Sequence, residues 1–214
     1  MITFSLIHAT RGRPNQAIQT FADYMKKAHD TTRVEYIFVV DSDDTTASQL
    51  SSYNPVISPA PSNCIKAWNA GAALSNGDIL FAVSDDCIPP QDWDNLLEES
   101  LKGIDPQTTQ KSLWLSDGHR TDNLMCWFCI TRARYNHQGY LFCPEYTGVF
   151  ADNEHTLRSH VDGVVIDARH IVFVHNHPAF GTAPMDETYA KQNSSESYRF
   201  NQEAFIRRNK HLMK

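Results

Sequence analysis

The chain of 214 residues reads as an α/β domain, a mixed and mostly parallel sheet flanked by helices in a single unit. Three observations predict this. Short apolar runs alternate with amphipathic stretches through Lys102, the sequence form of repeated β-α units. The runs 34–40 (VEYIFVV) and 78–83 (DILFAV) carry almost no charge beyond their borders, as strands buried on both faces do. Both runs stop on acids, Asp41-Ser42-Asp43-Asp44 and Ser84-Asp85-Asp86, at the strand ends where open α/β sheets hold ligands.

In chain order, residues 2–8 (ITFSLIH) form the first expected strand. Thr10-Arg11-Gly12-Arg13-Pro14 then makes a strand-to-helix loop, with a proline suited to the first helical turn and two arginines carried to the strand's C-terminal edge. Arg11 and Arg13 are candidates to meet a phosphate or the acidic site. Ala17, Ile18, Phe21, Ala22 and Met25 give the next helix one apolar face. After the second strand, Asp41 is placed to accept hydrogen bonds from a base or ribose, while Asp43 and Asp44 are expected to cap a following helix. Residues 55–58 make a short third strand, and the small residues around Trp68 predict a helix over 64–75 that packs closely on the sheet, its start marked by Asn63, Lys66 and Asn69.

The fourth strand ends in Asp85 and Asp86. Adjacent carboxylates at a buried strand end repel and lose solvation, so a cation or hydrogen-bond donors must hold them ionised. A divalent metal supplies that. Pro89 and Pro90 bar continuation of the strand, and Trp93, Leu96, Leu97 and Leu101 form the stripe of a helix over 92–102. Beyond the polar connector 103–111, strands are expected at 113–116, 125–131 and 164–174 without regular helices between them, hence a mixed sheet. A short helix is expected from Asp152, whose carboxylate, with that of Glu154, lies in a segment facing the cleft. His175 and His177, at i and i+2 on extended chain, point the same way and would complete a metal shell suited to manganese. Asp186, Thr188 and Tyr189 follow in irregular chain that closes over the site. The last segment, 197–212, is a helix bearing Arg199, Arg207, Arg208 and Lys210, with Lys214 beyond it; such a face is solvated or docks an anionic acceptor.

Bulk properties narrow the class. A formal net charge of −6 argues against coating nucleic acid by charge alone, and no apolar run approaches the ~20 residues of a membrane span. The N-terminus enters an apolar strand with no basic leader, so a cytoplasmic location is expected, or a host cytoplasm for a viral protein. Five cysteines fit reduced thiols. Cys126 and Cys129 form a lone C-x-x-C in a strand-like context, short of the further ligands a structural zinc site wants, and read as buried thiols.

These motifs together resemble the nucleotide-sugar glycosyltransferases of the GT-A (Rossmann-like) fold, family 2 type, over nearly the whole chain. The resemblance rests on ATRGRP, VVDSDD, the run NCIKAWNAGAALSNGDILFAVSDDCIPPQDW and FADNEHTLR. It implies that Asp41 contacts the uracil or ribose of a nucleotide, and that Asp85 and Asp86 are a DXD-like motif. In that motif Asp86 binds Mn²⁺ or Mg²⁺ and Asp85 the ribose or the ion. It implies a base at Asp152 or Glu154, since Ala151 stands where the family often has an acid, and His177 or His175 in the metal shell. Thr10, Arg11, Arg13, Asp43, Asn63, Lys66 and Asn69 join the nucleotide-sugar site, and Trp114, Asp117, Tyr189, Arg207 and Arg208 the acceptor side. Residues 1–102 would then hold the UDP-sugar donor, 103–195 the acceptor and catalytic groups, and 196–214 a basic helix. The expected activity is inverting, metal-dependent hexosyl transfer to a glycan or to a hydroxymethylated pyrimidine of viral DNA. The competing readings are a nucleotidyltransferase, for which ATRGRP is a poor loop, and a non-catalytic nucleotide or sugar binding module.

Overall fold

A computed structural model describes residues 1–212; Lys214, counted above with the basic residues, lies outside the described residues. The elements follow as β1 (Phe4–Thr10), α1 (Pro14–Lys27), β2 (Val34–Asp41), β3 (Val56–Ser58), α2 (Cys64–Leu74), β4 (Ile79–Val83), β5 (Cys87–Ile88) and α3 (Trp93–Ser100). The second half adds β6 (Ser112–Ser116), β7 (Trp127–Thr131), α4 (Arg132–Gln138), α5 (Ala151–Val161), β8 (Val165–Val172), β9 (Val174–His175), α6 (Glu187–Gln192) and α7 (Ser195–Asn209). Seven strands form one sheet in the order β3-β2-β1-β4-β7-β6-β8, and β5 pairs with β9 in a small ribbon. Among the described residues β7 alone runs against the other strands of the large sheet. No helix among them is long and apolar enough to cross a membrane.

Alternation along each strand feeds two cores. Phe4 and Leu6 of β1 and Phe81 and Val83 of β4 pack with Tyr24 of α1 and Trp93 and Leu97 of α3. Ile7 of β1 and Leu80 and Ala82 of β4 pack on the opposite face with Ile65, Ala67 and Ala72 of α2, Ala151 of α5 and Ala204 of α7. Both faces are thus covered, which is why the strands lack polar positions. Gly71 sets the depth of α2: a Cβ there would lie 2.5 Å from Ile7 Cγ2 and 2.7 Å from Val39 Cγ2.

The structure departs from the sequence reading in four places. Between β2 and β3 the chain makes a 3-10 segment, Ala47–Tyr53, instead of an α-helix; only Leu50 of that polar stretch is buried, so no apolar stripe rewards a longer helix. The helix α4, absent from the sequence reading, has no apolar stripe either and is bounded by its caps. The Thr131 side chain accepts the N–H of Arg134, and Gly139 takes the left-handed conformation after it. The expected strand 164–174 breaks at Phe173, whose N–H bonds the Ser116 carbonyl, before β9 turns to pair with β5. The chain after Asp186 forms the short helix α6, capped by the Asp186 carboxylate on the N–H of Tyr189.

Candidate active site

The chain runs outward from β1 through β2 to β3, then returns to place β4 on the other side of β1. Loops leaving β1 and β4 therefore diverge, and a crevice opens at the C-terminal ends of these strands. His8, Thr10 and the Arg11–Arg13 loop come from β1, Asp41 from β2, and Ser84, Asp85 and Asp86 from β4. The strand directions bring three more groups to this edge: Asp117 after β6, Cys126 before β7 and His175 on β9.

The two adjacent acids are turned to different partners, which limits their repulsion. Asp85 Oδ1 lies 2.9 Å from Nε2 of His8, a fully buried ring whose Nδ1 is 2.7 Å from the Tyr36 hydroxyl. Arg13 stands 3.9 Å from Asp85 Oδ2 and 2.5 Å from Asp186. Asp86 Oδ2 accepts from the Tyr189 hydroxyl at 2.8 Å and lies 3.3 Å from His175 Nε2, while Ser84 donates to its Oδ1. Burial pushes the Asp86 carboxyl up, but the bonds from His175, Ser84 and Tyr189 outweigh it and hold it at about 2. Asp86 is therefore ionised at neutral pH. Helix α6 lies over the motif, with the Arg13 guanidinium 4.1 Å above the Tyr189 ring. Near it His177 has Nδ1 occupied by the N–H of Ala179, which leaves Nε2, and its ring centroid is 4.8 Å from that of His175. Burial lowers the His177 pKa, which favours the neutral imidazole.

On the β2 side Arg11 bridges Asp41 at 2.9 Å and Asp43 at 2.5 Å. Asp44 receives the N–H of Gly12 and both donors of Thr46, so it ties the β1–α1 loop to the turn after β2. Thr10 Oγ1 and Arg13 Nε are buried without a hydrogen-bond partner among the described residues. Asn63, Lys66 and Asn69 are engaged within the fold. Asn63 caps α2, Lys66 bonds the Pro61 carbonyl, and Asn69 clamps the main chain of Leu141 and Phe142.

Asp152 opens α5 from the other wall. Burial raises its carboxyl above the usual range, opposed by main-chain N–H bonds, and no side chain donates to it among the described residues. It is near enough to Cys64 and Cys126 to add to the burial that raises both thiols, Cys64 to about 12. Asp41 acts on Cys64 as well. Glu154, two residues on, points about 200° away around the helix. It is buried against Tyr146, Arg208 and Asn209, where it ties α5 to α7. Asp152 lies toward Cys126, one of the groups at this edge, and Glu154 lies in the core. Arg207 and Arg208 pair with Glu145, and Arg208 also with Glu154. Trp114 packs beneath Arg169, whose guanidinium lies 4.0 Å over its ring, and beside His160. His8, Tyr36 and Ser84 were not singled out by the sequence reading, and Cys126 was read there as a buried thiol of the C-x-x-C pair; the signal for His8 was a lone imidazole in an apolar strand.

No family model matches the chain, and no curated protein matches it in sequence. Solved structures do match in fold. Residues 1–349 of TarS from S. aureus, in complex with UDP-GlcNAc, superpose with a TM-score of 0.63 at 12% identity, over 97% of this chain and 72% of that one. The mannosyltransferase PcManGT from Pyrobaculum calidifontis, in complex with GDP-Man and Mn²⁺, gives 0.63 at 14% identity, over 96% and 64%. Glucosyl-3-phosphoglycerate synthase from Mycobacterium tuberculosis, in complex with Mg²⁺ and UDP, gives 0.56 at 14% identity, over 89% and 76%. The fold is that of the GT-A glycosyltransferases.

Proposed function

We propose that this chain transfers a sugar from a UDP-sugar to an acceptor hydroxyl, with a divalent metal and with inversion at the anomeric carbon. The observation that carries the reading is one crevice holding acids of opposite character. Asp86 is held ionised at about 2 by its neighbours, and Asp152, on α5 near Cys126 at the same edge, has a raised pKa and no side-chain partner among the described residues. Such divergence in carboxyl environment is how one site keeps a charge-bearing acid apart from a proton-moving one.

The donor set fits a hard divalent ion. Asp86 gives an ionised carboxylate, and His177 a neutral imidazole with Nε2 free, beside His175; oxygen with some nitrogen suits Mn²⁺, and Mg²⁺ with more water. When bound, the ion would neutralise charge on the leaving diphosphate. Asp85, oriented by His8, would accept from the ribose or join the ion, and Asp41 would accept from the uracil or ribose. The unpartnered Thr10 Oγ1 and Arg13 Nε are donors that an anionic ligand would satisfy, and Arg11, Arg13 and Asp43 line that side. Asp152 would take the proton of the acceptor hydroxyl as it attacks, and one displacement with one base inverts the centre. In this reading Asp117 and Tyr189 would line the acceptor side of the motif. The pairing of Arg207 and Arg208 with this chain's own acids favours a glycan over DNA as acceptor, because neutralised arginines release few counterions. Reaction in a cytoplasm, next to nucleotide-sugar pools, belongs to the same reading.

The test is a panel of nucleotide sugars followed by calorimetry and donor hydrolysis, with Mn²⁺ and with chelator. Binding of one UDP-sugar that needs metal, with slow hydrolysis, is expected. Failure of every donor to bind in either condition overturns the proposal.

A further inference from the structure

The sequence offers Cys126 no partner but Cys129, which is buried in β7 as a raised, neutral thiol. The fold supplies two others. Asp117, Cys126 and His175 each present one ligand atom, and these three atoms lie within 4.8 Å of one another. Their backbones are tied together: the N–H of His175 donates to the Asp117 carbonyl at 3.0 Å, and the His175 ring packs on Trp127, the residue after Cys126, at 4.7 Å between centroids. Gly118, at φ +81°, turns the chain immediately after Asp117 where a side chain would strain it. Asp117 is buried, 3% exposed. Its Oδ1 accepts the N–H groups of His119 and Arg120, and its Oδ2 is buried with no partner among the described residues. A buried carboxylate oxygen left without a donor keeps its desolvation cost uncompensated, so a cation there would relieve a real deficit.

We propose that Asp117, Cys126 and His175 form a binding site for zinc or a similar thiophilic divalent ion, distinct in its ligands from the hard-metal site at Asp86. The geometry is close to what such an ion needs. Tetrahedral zinc with Zn–S of about 2.3 Å and Zn–N of about 2.0–2.1 Å holds sulfur and nitrogen ~3.6 Å apart, and Cys126 Sγ is 3.8 Å from His175 Nδ1. The other ring nitrogen, Nε2, faces Asp86 Oδ2. That is the arrangement of a metal-bound imidazole whose remaining N–H is donated to a carboxylate, which fixes tautomer and ring plane. On binding, the Cys126 thiol gives its proton to solvent as the metal–sulfur bond forms, and the Asp117 and Cys126 anions balance the ion's two charges. Three protein ligands leave one position open to water. The site stands on these distances and does not depend on the glycosyl-transfer reading.

The probe is Co²⁺ alone, then Zn²⁺, added to the full chain without nucleotide. One equivalent of Co²⁺ is expected to give a thiolate-to-cobalt charge-transfer band in the near ultraviolet, which Zn²⁺ then abolishes by displacement. Cys126→Ser removes the band, Cys64→Ser leaves it, and Asp117→Asn keeps it while weakening zinc affinity by about 10–100-fold, the range that even outer contacts to a metal command. A wild-type protein that shows no such band overturns the proposal without any variant, and so does a band that survives Cys126→Ser.

Discussion

Asp152→Asn separates the proposed base from the stability of the fold. Asp152 Oδ1 accepts one bond, from the N–H of Asn153 at 2.9 Å, and asparagine retains an oxygen for it. The substitution removes the proton acceptor and no side-chain partner. Loss of a positioned general base costs about 10²–10⁴-fold in rate, which is roughly 3–5 kcal/mol of transition-state stabilisation at 1.36 kcal/mol per tenfold. Stability moves the other way. Burial raises this carboxyl in the folded chain, and a group so raised contributes stability that is present below its unfolded pKa and is lost as pH rises through the folded one. Above its folded pKa the wild-type chain therefore bears the cost of an ionised, desolvated carboxylate, which the amide does not. UDP release with the cognate donor and acceptor, resolved into kcat and KM, is paired with thermal melts at neutral and acid pH. The expected result is a fall in kcat with donor KM unchanged, and a melting temperature at neutral pH equal to or above wild type. Full transfer rate in the variant would remove Asp152 from its role, and a lowered melting temperature at neutral pH would refute the desolvated environment argued for it.

Asp86 is held at about 2 against 3.8, a difference of nearly two units. The ionised side chain therefore adds on the order of 2 kcal/mol of stability above the unfolded pKa, which is lost as pH falls through the folded one. The melting temperature of wild type should accordingly exceed that of Asp86→Asn at about pH 6 by more than it does at about pH 2, and an unchanged gap would contradict the bonding described. Glu154→Gln weakens charge-assisted bonds from Arg208 and should cost about 2 kcal/mol. At ~2–4 °C per kcal/mol for a chain of this size that is about 4–8 °C in melting temperature. Its kcat, measured on the folded protein, should stay within about twofold of wild type, because the residue lies in the core. Gly71→Ala drives a methyl into Ile7 and Val39 and should lower stability by about 1–3 kcal/mol despite alanine's better helix propensity; a stabilised variant would mean that α2 can lift from the sheet without loss.

The local chemistry was legible in the residues alone. Fully apolar strands, a proline at the head of α1, an asparagine cap on α2 and the acids closing β2 and β4 are short-range signals. Each depends on backbone and solvation rules that act within a few residues. That is why the α/β class, the loop of arginines and the pair of acids that closes β4 could be read before any coordinates. Elements without a stripe, such as α4 and the 3-10 turn after β2, were misread or missed because capping and neighbouring packing decide them, and periodicity does not register either.

Tertiary structure alone decided which of these groups meet. Asp152 and Glu154 are equal as sequence, two acids at the start of a helix, and the helical turn sends one to the crevice and the other into a buried contact with Arg208. His8 gains its role only because β1 and β4 are neighbours, which sets its ring against Asp85. Asn69 was a candidate ligand group until the fold showed it clamping the chain at Leu141 and Phe142. The cluster of Asp117, Cys126 and His175 joins His175 to two residues of the much earlier β6–β7 connection and exists because β6, β7 and β9 bring their ends to one edge. Sequence patterns record what each segment buries; the pairing order of the sheet determines which side chains share a space, and that order is set by packing across the whole chain.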